Sequence, residues 1–366
     1  MSATVLFDVQ HLYYLPQYFP VAHVLKNQGV NVRFVLHREC GYDDIKVEKL
    51  EEEQFEYCFI AGKSEALSFY TTQLVDWIIF GNIPPFSSKE KSAIDAKLAL
   101  MQHGIGPKSC YYKVSEYPFD VRFVEGESRL ERLKKRYPTR TFVDTGYAKL
   151  DPLYDGSPAK ISLDDLALDP NKPTILYAPT FFPSSIERFS DNWPEELANY
   201  NIILKPHFFS MTKQKYASQR NKIEKWSRYS NVYLTKKKEF CLVSFMQLAD
   251  VMLSDASSAI FEFAAINKPV VWCDFSHTRW SYSGLFKFRL NKRLDPDIAL
   301  FNDIAHRAVT PAKANKLIAT CINSPHLKSA ERISVTKTMV GKTDGQCSAR
   351  IARYLTQHHK VVSPQR

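Results

Sequence analysis

Short apolar runs recur along this chain and alternate with longer segments that have a helical pattern. Strands that are apolar throughout and are separated by helices are typical of a parallel sheet covered on both faces. Residues Gln10–Pro20 are predicted as a loop, and Val21–Gln28 as a helix that Gly29 ends. The predicted strands of the first half are Ala3–Val9, Val30–Leu36, Tyr57–Ile60, Asp76–Phe80, Ala99–Gln102, Val121–Val124 and Thr141–Val143.

The alternation stops once and then begins again. Residues Asp155–Pro173 are rich in Pro, Asp and Ser, which is typical of a linker. The later predicted strands are Thr174–Ala178, Asn201–Leu204, Asn231–Leu234, Val251–Leu253 and Val270–Cys273, and the predicted helices are Ser257–Ile266, Pro311–Cys321 and Gly345–His358.

This organisation predicts two consecutive α/β domains with parallel sheets. The first covers residues 1–155, a linker covers 156–172, the second domain covers 173–340, and a closing helix and tail cover 341–366. Because ligands of such sheets bind beyond the carboxyl ends of the strands, we expect the site in a cleft between two facing domains.

The charge balance favours anionic partners. Lys and Arg number 49 against 39 Asp and Glu, a formal net charge of +10. Positive charge is concentrated in Arg129–Arg140 and Lys213–Lys238, which are either solvated helix surfaces or contacts with an anionic membrane or another polyanion. No nucleic-acid-binding motif accompanies them, so nucleic acid is not expected.

The spacing of the cysteines and the length of the apolar runs indicate in which cellular compartment the protein is found. The seven cysteines are widely spaced and include no CxxC pair, which favours free thiols in a reducing compartment. No signal peptide and no run long enough to span a bilayer is apparent. We therefore expect a cytoplasmic protein, with the inner face of the plasma membrane as its place of peripheral contact.

A candidate catalytic segment follows the fifth predicted strand and reads HGIGPK, from His103 through Gly104 to Lys108. Glycines let backbone N–H groups approach an anion, and a lysine adds positive charge. Histidine can accept a proton near neutral pH. A hydrogen-bonded histidine in an ordinary capped loop would give the same pattern.

Two strand ends of the second half are similar. Lys205-Pro206-His207 offers a cation and an imidazole to a phosphate oxygen. Ser254-Asp255-Ala256-Ser257-Ser258 leads from a strand into a helix whose N–H groups and dipole can hold a phosphate, and Glu262 lies one turn further on. An ordinary helix N-cap is the alternative interpretation.

Two further residues are candidates for the acceptor side. Asp151, after the turn at Gly146, is better explained as a cap of the next turn. His11, after the first strand, faces the expected cleft, although a lone histidine is more often structural.

Other chemistries are disfavoured. The motifs GxGxxG, GxxxxGK[ST], HExxH and GxSxG are absent. We therefore predict no cofactor and no built metal site, while a loosely held divalent ion stays compatible with the sequence.

Taken in order, these segments resemble the CDP-glycerol glycerophosphotransferase family of teichoic-acid primases and polymerases. The resemblance is carried by His103–Lys108, by Gly146-Tyr147 with Asp151, by ILYAPT at Ile175–Thr180, by Lys205–His207, by Ser254–Ser258 and by Asp344-Gly345.

The resemblance implies a GT-B architecture with two Rossmann-like domains. It also implies transfer of a polyol phosphate from a CDP-activated donor to a hydroxyl of a lipid-linked or polysaccharide acceptor, with release of CMP. Glycerol phosphate is the leading candidate for the group transferred. The product would be a surface polymer of the teichoic-acid, capsular or lipopolysaccharide kind. The CDP-polyol is then a substrate rather than a cofactor.

Roles carried over from the family fall on three groups of residues. His103 would be the general base, and His207 would act at the transferred phosphate. The donor side would comprise Lys108, Lys205, Ser254, Asp255, Ser257, Ser258 and Glu262, and the acceptor side His11, Gly104 and Asp151.

Two alternatives stay open. Residues Gln10–Gln17 are similar to the same stretch of proteins like UDP-N-acetylglucosamine 2-epimerase, which suggests a GT-B glycosyltransferase or epimerase acting on a UDP-sugar. The other is a non-catalytic GT-B scaffold that binds a nucleotide or a polyanion. The chain length favours a single addition over polymerisation.

Overall fold

The computed structural model describes residues 3–156, 159–276 and 295–359, which form two compact units. The first unit comprises the described residues of 1–104, 111–156 and 341–366. The second comprises those of 105–110 and 157–340. The segment 105–110 therefore belongs to the second unit although the chain on both sides of it belongs to the first.

The first unit contains a seven-stranded parallel sheet with the strand order β3-β2-β1-β4-β5-β6-β7. The strands are β1 (Thr4–Val9), β2 (Asn31–His37), β3 (Glu56–Ile60), β4 (Trp77–Phe80), β5 (Lys97–Met101), β6 (Val121–Val124) and β7 (Phe142–Asp144). The helices are α1 (Leu15–Asn27), α2 (Asp43–Glu52), α3 (Lys63–Thr71), α4 (Cys110–Lys113) and α5 (Glu127–Arg136). The first residue of α4, Cys110, still belongs to the second unit.

The first helix begins earlier than predicted. Residues Gln10–Pro20 are not a loop throughout, since α1 starts at Leu15. Pro16 lies in its first turn, where a missing N–H costs nothing, and only Pro20 lies inside the helix. Leu15, Tyr18 and Val21 are buried along one stripe, and their burial outweighs the backbone hydrogen bond lost at Pro20.

The second unit contains a six-stranded parallel sheet with the order β10-β9-β8-β11-β12-β13. Its strands are β8 (Thr174–Ala178), β9 (Asn201–Leu204), β10 (Val232–Leu234), β11 (Val251–Ser254), β12 (Val270–Cys273) and β13 (Ala305–Ala308). Its helices are α6 (Trp193–Glu196), α7 (Phe208–Thr212), α8 (Ala217–Trp226), α9 (Val243–Met246), α10 (Ser258–Ala265), α11 (Phe301–Ile304), α12 (Pro311–Asn323) and α13 (Ser329–Met339).

The sequence pattern does not predict β13. This edge strand reads AHRA and buries only its two alanines, so no apolar run marks it. The core beside the sheet is aromatic: Trp193 packs against Phe189, Tyr177 and Trp226, with ring centroids 4.4, 5.2 and 5.2 Å away.

The last helix, α14 (Cys347–Gln357), belongs to the first unit. Asp151 holds its N-terminus: the carboxylate accepts hydrogen bonds from Cys347 N (3.1 Å), Ser348 N (2.6 Å) and Ser348 Oγ (2.6 Å). Asp151 is buried. The structure therefore gives Asp151 a helix-capping role in place of the predicted acceptor-side role, because a carboxylate at a helix N-terminus satisfies otherwise unpaired N–H groups.

Candidate active site

The predicted site residues lie in two clusters, one in each unit. His103, directly after β5, is the centre of the first. Its Nδ1 donates to the Gly81 carbonyl oxygen over 2.8 Å. Because a carbonyl can only accept, the proton of the neutral ring is on Nδ1 and Nε2 is the basic nitrogen.

Aromatic rings enclose His103. Tyr14 stacks on the imidazole with centroids 5.0 Å apart, and Tyr111 meets it edge-on at 5.8 Å. A Cβ at Gly104 would lie 2.5 Å from the Tyr111 hydroxyl, and one at Gly81 would lie 2.7 Å from the Tyr14 ring. Both positions therefore require glycine if the imidazole is to keep this orientation, which is a packing role for Gly104 on the predicted acceptor side.

His11 belongs to the same cluster. Its ring stacks on Tyr13 at 5.0 Å, and Tyr13 in turn lies 5.1 Å from the His103 ring. The His11 Nδ1 is 2.8 Å from the carboxylate of Glu39. Glu39 and Gly81 were not predicted as site residues. Both follow the end of a strand, β2 and β4, which is the position that marked His103 as a candidate.

The second cluster forms where β11 leads into α10. Ser257 is the N-cap of α10, and its Oγ accepts from Ala259 N over 3.2 Å. Ser254 Oγ donates to the Ala178 carbonyl oxygen over 2.7 Å, so Ser257 must donate its own proton to Ser254 across the 3.0 Å between the two hydroxyls. Both hydroxyls are thus used within the fold.

Ser258 differs from its neighbours. Within the described residues, neither its N–H nor its hydroxyl has a hydrogen-bond partner. Gly106 lies directly beside it, since a Cβ at position 106 would be 3.1 Å from Ser258 N. The carbonyl oxygen of Pro107 accepts a hydrogen bond from Asp295 N over 2.9 Å, which links the segment 105–110 to residue 295 of the same unit. The start of α10 therefore offers an N–H and a hydroxyl of the kind that bind phosphate.

Two lysines and a histidine complete this cluster. The Nδ1 of His207 accepts from Phe209 N over 3.2 Å, so the neutral ring carries its proton on Nε2. Burial, together with the positive charges of Lys108 and Lys205, lowers the pKa of His207 to about 3. His207 is therefore a neutral hydrogen-bond donor at physiological pH, suited to a phosphate oxygen rather than to proton abstraction.

Asp255 does not contribute an open carboxylate. Its two oxygens accept from Thr180 N (2.8 Å) and Ser185 N (3.0 Å), and the residue is only 2% exposed. Burial raises the pKa of Asp255 to about 7, against the opposing effect of hydrogen bonds from Ser185 and Thr180. Asp255, which was predicted on the donor side, thus supports the loop after β8. Glu262, also predicted on the donor side, is buried on α10.

Most cations of the two basic segments are exposed, and a minority are buried or paired within the fold. Arg129 is buried, with its Nε 2.5 Å from Glu125 Oε1 and its guanidinium 5.0 Å from the Tyr112 ring. In the other segment, Lys222 and Lys225 pair with Asp191. The exposed cations are Lys134, Lys135, Arg136, Lys213, Lys215, Lys225, Arg228, Lys236, Lys237 and Lys238. Contact with an anionic surface stays a prediction.

The described part of the chain contains no candidate for a membrane span or a metal centre. No helix there is long and apolar enough to cross a bilayer. No group of three or more His, Cys, Asp or Glu side chains there is arranged to hold a metal ion. The prediction that the protein works without a cofactor stays a prediction.

Comparison with known proteins agrees with these features. The chain matches the CDP-Glycerol:Poly(glycerophosphate) glycerophosphotransferase family over residues 120–357. It is 30% identical over 156 residues to the teichoic acid glycerol-phosphate primase of Bacillus subtilis (strain 168). This match spans 42% of the chain and 39% of the primase, about two fifths of its length.

Solved structures share the fold at low identity. The wall teichoic acid polymerase TagF superposes with a TM-score of 0.68 at 13% identity, over 97% of this chain and 88% of that one. UDP-GlcNAc 2-epimerase from Neisseria meningitidis superposes with a TM-score of 0.63 at 14% identity, over 98% of this chain and all of that one. These neighbours and the two parallel sheets confirm the predicted GT-B fold, and the match over residues 120–357 shows that the chain belongs to the CDP-Glycerol:Poly(glycerophosphate) glycerophosphotransferase family.

Proposed function

We propose that this protein transfers glycerol phosphate from CDP-glycerol to a hydroxyl of a lipid-linked or polysaccharide acceptor, in the synthesis of a teichoic-acid-like surface polymer. Membership of the family supports the reaction class. The observation that carries the proposal is the second-unit cluster. There Gly106 leaves the N–H of Ser258 approachable. Burial and the nearby charges of Lys108 and Lys205 lower the pKa of His207, so that His207 is a neutral hydrogen-bond donor. Such a cluster suits the diphosphate of a nucleotide donor.

In this reaction the acceptor oxygen attacks the phosphorus that bears glycerol. The bond between that phosphorus and the bridging oxygen breaks, and the oxygen leaves with CMP. Negative charge therefore grows on the CMP phosphate, and lysines and N–H donors that are already in position stabilise it. The acceptor proton passes to Nε2 of His103, which its hydrogen bond to Gly81 leaves as the basic nitrogen.

The cellular setting belongs to the same proposal. The exposed cations of Lys213–Lys238 and of Arg129–Arg140 support peripheral contact with the anionic inner face of the plasma membrane, where a lipid-linked acceptor would be found.

Release of CMP from CDP-glycerol by the full chain tests the reaction. With a glycerol-phosphate-primed lipid acceptor, the wild type releases CMP, whereas His103→Ala loses turnover and keeps its affinity for CDP-glycerol. CMP release by His103→Ala at nearly the normal rate would refute the base assignment.

A matched pair of serines tests the phosphate site. Ser258→Ala removes a hydroxyl that is available to the diphosphate and should weaken CDP-glycerol binding about tenfold. Ser257→Ala removes a helix cap and should instead lower the free energy of unfolding by about 1 kcal/mol, with donor affinity nearly unchanged. The reverse assignment of the two effects would contradict the site.

A UDP-sugar reaction is the second candidate. The similarity to UDP-GlcNAc 2-epimerase, solved bound to UDP-GlcNAc, favours it. Preference for a uridine or a cytidine nucleotide decides between the two.

A further inference from the structure

A buried ion pair lies behind the first-unit cluster. Lys46, on α2, is completely buried, and its Nζ lies 2.8 Å from the His37 carbonyl oxygen and 3.1 Å from Glu39 Oε2. Asp43 Oδ1 accepts from Glu39 N over 2.8 Å. A buried lysine is costly unless its partners are close, so this arrangement fixes the carboxylate of Glu39 in one place.

Glu39 in turn holds the start of the loop after β1. Its Oε1 is 2.8 Å from His11 Nδ1, and its Oε2 accepts from Leu12 N over 3.0 Å. Burial acts to raise the pKa of Glu39, but hydrogen bonds from His11 and Lys46 and the charge of Lys46 outweigh it, and the pKa is lowered. The ionised carboxylate can only accept. The neutral His11 ring therefore carries its proton on Nδ1, with Nε2 as its acceptor nitrogen.

His11 and His103 thus have the same tautomer in the same cluster. Each donates from Nδ1, one to Glu39 and the other to Gly81, and each contacts the ring of Tyr13. Burial raises the pKa of Tyr13 to about 12, so this ring stays neutral between them. The His11 side chain is 41% exposed, which leaves it accessible to a ligand.

We propose that Glu39 and Lys46 are positioning residues that hold His11 so that its Nε2 accepts a hydrogen bond from one hydroxyl of a polyol acceptor, next to the hydroxyl that His103 engages. Two imidazole nitrogens fixed as acceptors are complementary to two O–H donors on one molecule, which is the chemistry of a glycerol unit. The identity of the ligand as an acceptor rests on the proposed function.

The chain contains a matched control. His23 Nε2 lies 2.7 Å from Glu53 Oε2, and the His23 side chain is also 41% exposed. This pair repeats the chemistry of His11–Glu39 on α1 and just after α2. Within the described residues, the His23 ring contacts Phe55 and makes no ring contact with Tyr13 or His103. Glu53→Gln therefore controls for the loss of a surface histidine–carboxylate pair.

NMR spectroscopy of the imidazole nitrogens tests this role. Long-range ¹H–¹⁵N spectra of the full chain are recorded during titration with glycerol 3-phosphate, and His11 and His103 are assigned from His11→Phe and His103→Phe. We expect the Nε2 resonances of both residues to move together. In Glu39→Gln, the Nδ1-protonated signature of His11 is lost and glycerol 3-phosphate binds about five- to tenfold more weakly, whereas Glu53→Gln binds as the wild type does.

Three results would overturn the inference: a silent His11 while His103 responds, no response of either ring, or equal weakening by Glu39→Gln and Glu53→Gln. The outcome is separable from the proposed reaction. Absence of CMP release with an intact His11 response would reject the transfer reaction alone, and normal CMP release with a silent His11 would reject the positioning role alone.

Discussion

Gly106→Ala tests how the segment 105–110 meets the start of α10. The added methyl group would lie 3.1 Å from Ser258 N and 3.3 Å from Ser258 Cα. An unstrained contact needs roughly 3.5 Å or more. Because the neighbouring atoms are backbone, they cannot rotate away, and the segment must move by several tenths of an ångström.

The same methyl group would cover the N–H of Ser258. A hydrogen bond to a charged group contributes about 1.5–3 kcal/mol. Its loss predicts that CDP-glycerol binds about 10- to 150-fold more weakly at 25 °C. Titration calorimetry of the wild type and Gly106→Ala measures this difference directly.

Gly62→Ala is the matched control. Gly62 has an extended backbone with φ of 169°, and nothing lies within 4 Å of a Cβ built there. This variant should bind CDP-glycerol like the wild type. If Gly106→Ala also binds it with unchanged affinity, the N–H of Ser258 does not meet the diphosphate and the reasoning fails.

Three further variants test roles assigned above, each by urea unfolding. Asp255→Asn places an amide N–H₂ against backbone donors and should cost about 2 kcal/mol of unfolding free energy, and an unchanged stability would contradict its loop-supporting role. Asp151→Ala should cost about 2 kcal/mol through fraying of α14, and a fully helical α14 in hydrogen exchange would argue against the cap. The pKa of His207 is lowered from 6.5 to about 3 in the folded protein. As pH falls, His207 is therefore protonated in the unfolded chain at a higher pH than in the folded protein. Its contribution therefore lowers stability as pH falls below 6.5, by at most about 2 kcal/mol at pH 5, and His207→Asn should remove that dependence.

Much of the fold was predictable because buried parallel strands must be apolar along their length. Val121–Val124, Thr174–Ala178 and Val270–Cys273 occur with the bounds that their apolar runs predict. The two elements that were not predicted correctly lack a clear local signal of this kind. The edge strand Ala305–Ala308 is half polar, and the helix Leu15–Asn27 contains prolines that its buried stripe outweighs.

The candidate site was predictable in its residue types and only partly in its roles. Strand ends marked His103 and His207 because parallel strands present their carboxyl ends at one edge of the sheet. The roles of Asp255 and Asp151 depend on backbone donors distant in the chain, at Ser185 and Ser348, and no local pattern shows these contacts.

The roles of two adjacent serines could not be distinguished from the sequence either. Ser257 and Ser258 are equivalent in the sequence pattern, and only the hydrogen bonds of the folded chain show that the hydroxyl of Ser257 is used as a cap. Glu39 was missed for a related reason, because its importance lies in the buried Lys46 behind it and in His11 in front of it.

Calorimetric titration of the full chain with CDP-glycerol, CMP, UDP and UDP-N-acetylglucosamine under one set of conditions tests the proposed donor. We expect that CDP-glycerol binds selectively and that its heat of binding is reduced or lost in Ser258→Ala. Selective binding of UDP or UDP-N-acetylglucosamine, with no binding of CDP-glycerol, would contradict the proposed reaction while leaving the GT-B fold unchanged.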